Sequence, residues 1–216
     1  MTTLRRITCS ILSVVLFSSC ALLQDAPLRV VRVKALADPS FRARNPNWDE
    51  ELRGLIEAAS DYFEREFDIR LVTQSAEAWP ERERIPSTAG LLVKLKQDFP
   101  APKNGGAFDL IVAVSAEGTS RYLPEGRPRV DRIGDCRQGL GNYLVTTVSK
   151  PFRYSGAQGD LEYDLALLIH ELGHIFGAEH VRDGASIMRE NFDHGSAFDM
   201  RNRNVVLTNR FCPFAK

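Results

Sequence analysis

The 216-residue chain carries 28 basic and 28 acidic side chains, and 44% of it is hydrophobic. Balanced charge argues against a nucleic-acid partner and gives no reason to expect a strongly acidic substrate. The apolar fraction, without an internal repeat or a low-complexity block, suits one ordinary globular domain.

The first segment stands apart. Arg5 and Arg6 precede an apolar stretch from Ile7 to Phe17, and Ser18 and Ser19 then lead to Cys20. This is the layout of a secretory signal. The apolar run is too short to span a bilayer, which takes about 20 residues. Phe17-Ser18-Ser19-Cys20 resembles a bacterial lipobox, in which the cysteine is lipidated. Residues 1–19 are therefore read as a lipoprotein-type signal, 20–27 as a tether and 28–216 as the folded domain. The resemblance implies a membrane anchor through Cys20. Ala21 rather than Asp after it favours the outer membrane, facing the periplasm or the cell surface, with plain secretion as the alternative. Cys9 leaves with the signal. The remaining thiols, Cys136 and Cys212, are expected to form one disulfide in an oxidising compartment.

Leu28 to Leu36 alternates and is rich in valine, which predicts a strand. Pro39 and Pro46 mark a loop. Trp48 to Phe67 reads as an amphipathic helix with Leu52, Leu55, Ile56, Ala59, Phe63 and Phe67 on one face. A second strand begins at Ile69. Leu91 to Leu95 fits a helix end or a strand. Phe108 to Val114 has the unbroken apolar run of a strand buried on both faces. Residues 117–141 read as an irregular excursion. Asn142 to Val148 is another strand, and Asp160 is placed as the N-cap of a helix reaching about Phe176. Strand, helix, three strands and helix together predict an α+β domain, a mixed sheet with helices packed on it.

The last helix carries His170-Glu171-Leu172-Gly173-His174. Residues i and i+4 lie one turn apart on the same face, so the two imidazoles can hold one Zn²⁺. Leu165, Leu168, Ile169, Leu172 and Phe176 occupy the opposite arc and would anchor the helix, aiming the histidines at a cleft. Gly177 tolerates the left-handed backbone that turns a chain sharply, and that turn can return His180 to the same metal. Three neutral imidazoles leave a fourth position for water, whose pKa the metal lowers towards 7. Glu171, beside the first ligand, would take the water's proton and deliver it to a leaving amine.

His170, Glu171, His174, Gly177 and His180 stand at the offsets of the full metzincin signature, and the domain resembles that group, which includes matrixins, reprolysins, astacins and serralysins. The group has a methionine in a tight turn beneath the metal, and Met188, eight residues past His180, fits. The resemblance implies a mostly parallel twisted sheet, an active-site helix followed by the Met-turn, and one catalytic zinc. It also implies a protein or peptide substrate bound extended along an edge strand between Arg127 and Val148. Val181 follows the third histidine, unlike the four named subfamilies. Glu190 stands where astacins and serralysins place a tyrosine, so a tyrosine ligand is not expected, nor is a matrixin-type propeptide.

His194 is read as a surface or capping residue. Asp183, Asp193 and Asp199 are read as turn and cap residues, because no calcium loop of defined spacing is present. The function expected is a monomeric zinc endopeptidase. The alternatives are a zinc amidase acting on a non-peptide bond, or a non-proteolytic surface binding module on the same fold, for which Glu171 would have no chemical use.

Overall fold

The computed structural model describes residues 27–80, 85, 87–101, 106–116, 127–149, 152, 163–190 and 195–216. The signal, Cys20, Asp160, Asp193 and His194 lie outside the described residues. Five strands form one sheet in the order β2-β1-β3-β5-β4. They are β1 (Arg29–Ala37), β2 (Ile69–Ala78), β3 (Leu110–Ser115), β4 (Arg129–Val130) and β5 (Tyr143–Thr147). All pairings are parallel except β4 with β5. The expected mixed, mostly parallel sheet with packed helices is therefore present.

The unbroken apolar run of β3 has the cause expected of it. Leu110, Val112 and Val114 join the main core, while Ile111 and Ala113 join a second core on the other face. α2 (Trp48–Phe67) and α4 (Tyr163–Ile175) contribute to the main core. α3 (Thr88–Asp98) covers the other face with Leu91 and Leu95, against Trp79, Tyr143 and Val145. This settles the open reading of 91–95 as helix, started by Ser87, whose hydroxyl accepts from Gly90 N at 3.1 Å.

Three elements depart from the expectation. The loop marked by Pro39 holds a short helix, α1 (Pro39–Arg44), because Asp38 accepts from Phe41 N at 2.7 Å and Pro39 takes the first turn, where its missing N–H costs nothing. β4 lies inside the stretch that reads as irregular. α5 (Met200–Asn209) has no counterpart among the predicted elements: it buries only Asn202 and Val206 and so has almost no apolar stripe to read.

Candidate metal centre

α4 is buried around its whole circumference from Asp164 to Ile175. The predicted arc of Leu165, Leu168, Ile169, Leu172 and Phe176 is in the core. The exposure of the site residues is uneven: His170, Glu171 and His174 are 4–6% exposed. Only His180 of the four is exposed.

The helix ends where glycine allows it. Gly177 has φ +98°, its N–H reaches His174 O at 3.0 Å, and Ala178 N reaches Gly173 O at 2.9 Å. This is a Schellman motif, which satisfies the terminal carbonyls while reversing the chain. Loop and C-terminal groups add to this: Gly134 N also binds His174 O, at 2.9 Å, and Asn209 Nδ2 binds Phe176 O at 3.0 Å. The reversal brings His180 back over the helix. The Nε2 atoms of His170, His174 and His180 are mutually 3.1 Å apart.

The contact between His170 and His174 is not an ordinary hydrogen bond. His170 Nδ1 is 2.6 Å from Ile187 O, and His174 Nδ1 is 2.6 Å from Ala178 O. A carbonyl oxygen only accepts, so each Nδ1 carries the proton and each Nε2 presents a bare lone pair. Burial, reinforced by the neighbouring imidazoles, lowers His170 to about 3 and His174 to about 4, and burial also lowers His180. The rings are therefore neutral. Bare lone pairs at this separation repel unless a cation sits among them. Tetrahedral ligation at 2.0–2.1 Å separates ligand nitrogens by about 3.3 Å, so the donor set fits a metal of zinc's size.

Met188 is fully buried under the helix. A Cβ on Gly173 would lie 2.8 Å from its Sδ and 2.9 Å from the Phe198 ring, so the methionine packs where only glycine leaves room. The turn between His180 and Met188 is built locally. Asp183 Oδ1 accepts from Ala185 N at 3.0 Å, Ser186 Oγ accepts from Met188 N at 3.1 Å, and Val181 N reaches Met188 O at 3.0 Å. Asp183 is thus a turn residue and Asp199 the cap of α5, where it accepts from Asn202 N at 3.0 Å.

Burial pushes the Glu171 carboxyl up to about 8, opposed by the charge of Arg129 on β4. Arg127, just before β4, pairs with Glu190 at 3.9 Å, and both act on His180. Cys136, between β4 and β5, is joined to Cys212, with Cα atoms 5.0 Å apart. The bridge spans a sequence separation of 76 and ties the C-terminal segment to the loop that supports the end of α4. Closing such a loop contributes on the order of 4 kcal/mol by chain entropy.

A reprolysin-type model described as metallo-peptidase family M12 matches residues 27–204. The chain belongs to that family. The match takes in the sheet, all three histidines, Glu171 and Met188, and it bears out the metzincin resemblance. No curated protein matches the chain significantly. Membership makes this M12 protein a zinc-type metallopeptidase acting on proteins or peptides. Sequence reasoning about the M12 site missed Gly134, Arg129, Asn202 and Asn209, which lie far from the motif in the chain. Gly173 was legible inside the motif, but its reason, the sulfur and ring pressed against it, was not.

Proposed function

We propose that this M12 protein is an endopeptidase with one zinc ion held by His170, His174 and His180 and with Glu171 as general base. The supporting observation is the triangle of Nε2 atoms 3.1 Å apart, two of them bare because their rings donate through Nδ1. An all-imidazole set with an open position suits zinc, which when bound supplies Lewis acidity to water and to the scissile carbonyl. The chain's own groups do the rest. Glu171 accepts the proton of the attacking water and passes it to the departing amine as the C–N bond breaks. In the metal-free protein burial raises its pKa, and the charge of Arg129 opposes that by favouring the ionised form. Met188 supports the ligands from below by packing alone.

The substrate binds extended along β4, the end strand of the sheet among the described residues, beside β5. Main-chain hydrogen bonds to that edge would hold a peptide without reading its sequence. A sheet edge favours a peptide over the non-peptide bond of an amidase. A binding module would gain nothing from a carboxyl buried beside three imidazoles. The proposed setting is outside the cytoplasm, as a monomer tethered through a lipid on Cys20. The Cys136–Cys212 bridge supports an oxidising compartment. Among the described residues no helix is long and apolar enough to cross a membrane.

The test compares Glu171→Ala with wild type on casein and on a peptide library at equal zinc occupancy. Retained zinc with activity reduced about 10²- to 10⁴-fold is expected. An Ala variant as active as wild type overturns the role of Glu171. A zinc-loaded wild type that cleaves no peptide overturns the endopeptidase reading.

A further inference from the structure

Helix α5 lies about twenty residues past the ligand motif in the chain, yet its side chains reach back to the motif's backbone. Asn202 is 1% exposed and uses both ends of its amide. Its Oδ1 accepts from Glu179 N at 2.9 Å, and its Nδ2 donates to Glu179 O at 2.9 Å and to Asp199 Oδ2 at 2.8 Å. Flipping the amide would set donor against donor and acceptor against acceptor, so its orientation is determined.

These bonds fall on two successive peptide planes. The plane joining Ala178 to Glu179 carries the carbonyl that accepts from His174 Nδ1 at 2.6 Å, and its N–H is the one bound by Asn202. The plane joining Glu179 to His180 carries the carbonyl that accepts from Asn202 and ends at the Cα of His180. One side chain thus restrains the peptide that orients the second imidazole and the peptide that places the third. Asp199 extends the grip. It holds Asn202 through its backbone and side chain and accepts from Ser186 Oγ at 2.8 Å. Ser186 immediately precedes Ile187, whose carbonyl accepts from His170 Nδ1 at 2.6 Å.

We propose that Asn202 is a positioning residue for the metal centre, holding His180 and the ring of His174 in ligating geometry from α5. The proposal rests on His170, His174 and His180 being the ligands. Groups that orient metal ligands cost 10- to 100-fold in metal affinity or activity when removed. A merely structural residue of the same helix would lower stability without that effect. Val206 supplies the comparison, because it is the other buried residue of α5 and no hydrogen bond ties it to the ligand turn.

The experiment measures zinc affinity by chelator competition for the full mature chain, for Asn202→Ala, for Asn202→Asp and for Val206→Ala. Amide hydrogen exchange at Glu179 is followed in the same proteins without metal. Both Asn202 variants are expected to bind zinc roughly 10- to 100-fold more weakly than wild type. The Ala variant is expected to expose the Glu179 N–H to exchange, and Val206→Ala to lower the melting temperature with zinc affinity unchanged. Asn202→Asp keeps the size and one acceptor, so it carries the test if the Ala variant does not fold. Zinc affinity in the Asn202 variants equal to wild type, or lowered no more than in Val206→Ala, overturns the proposal. A wild type that binds no zinc overturns instead the ligand reading on which it stands.

Discussion

Gly177→Ala gives the sharpest test of how the third ligand is placed. The residue sits at φ +98°, a backbone that costs an L side chain about 1–2 kcal/mol. A Cβ built there would lie 2.5 Å from Asn209 Nδ2 and 2.5 Å from Gly134 O. The first neighbour is a side chain already engaged with Phe176 O, and the second is backbone, so neither yields easily. Overpacking of this kind adds about 1–3 kcal/mol. The lower entropy of the unfolded alanine chain returns about 0.4–1 kcal/mol. The net is a loss of roughly 1–5 kcal/mol, and a value near the middle lowers the melting temperature by about 6–12 °C in a domain of this size. Urea and thermal unfolding of the metal-free protein measure the stability. Zinc competition on the same sample should show weaker binding, because any shift at Gly177 displaces His180 relative to His174. Gly184→Ala is the control: its Cβ would meet only Arg189 Nη1, at 3.7 Å, so only the unfolded-chain term remains and a gain of about 0.4–1 kcal/mol is expected. A Gly177→Ala protein as stable as wild type and with unchanged zinc affinity would refute the argument that the reversal at Gly177 places the ligand.

Other perturbations separate the remaining parts of the site. Wild type should hold about one zinc per chain, and His180→Ala should lose most of it under dialysis; metal analysis showing full occupancy in the variant would remove His180 from the ligand set. In the metal-free protein, His170 and His174 sit at about 3 and 4, below their unfolded value of 6.5. The unfolded chain then binds more protons, so their contribution to stability is complete above pH 6.5 and is lost as pH falls towards 3. Glu171 at about 8 acts in the opposite sense, with stability complete below its unfolded value of 4.5 and lost as pH rises through 8. Urea midpoints of the metal-free protein should therefore peak near pH 6.5, whereas a steady rise through pH 8 would show that Glu171 is not held in a dry setting. Mass spectrometry of the mature N-terminus should find acylated Cys20, and Cys20→Ser should free the protein from membranes; an unmodified peptide beginning at or after Ala21 would mean plain secretion.

The local chemistry of the site is legible in the amino-acid sequence by itself. Histidines at i and i+4 of a helix, a glycine three residues on and a third histidine three beyond that specify a metal site, because helix geometry and glycine's backbone freedom act over a few residues. The runs of β1, α2 and β3 are equally plain, since each buries a long apolar stripe or two apolar faces. The two thiols of the folded domain, Cys136 and Cys212, are joined as expected. What the chain order does not show is the support of the site from a distance. α5 has too little apolar periodicity to announce itself, and its contribution is made by asparagine and aspartate through hydrogen bonds to backbone, which leave no pattern in a sequence. The burial of His170, Glu171 and His174 is also hidden there. An amphipathic pattern tells which arc of a helix is apolar, but only the fold decides whether the polar arc meets solvent or is enclosed. Here His170, Glu171 and His174 are enclosed while His180 stays exposed, and the bare Nε2 atoms of His170 and His174, 3.1 Å apart, are neighbours that a cation would reconcile.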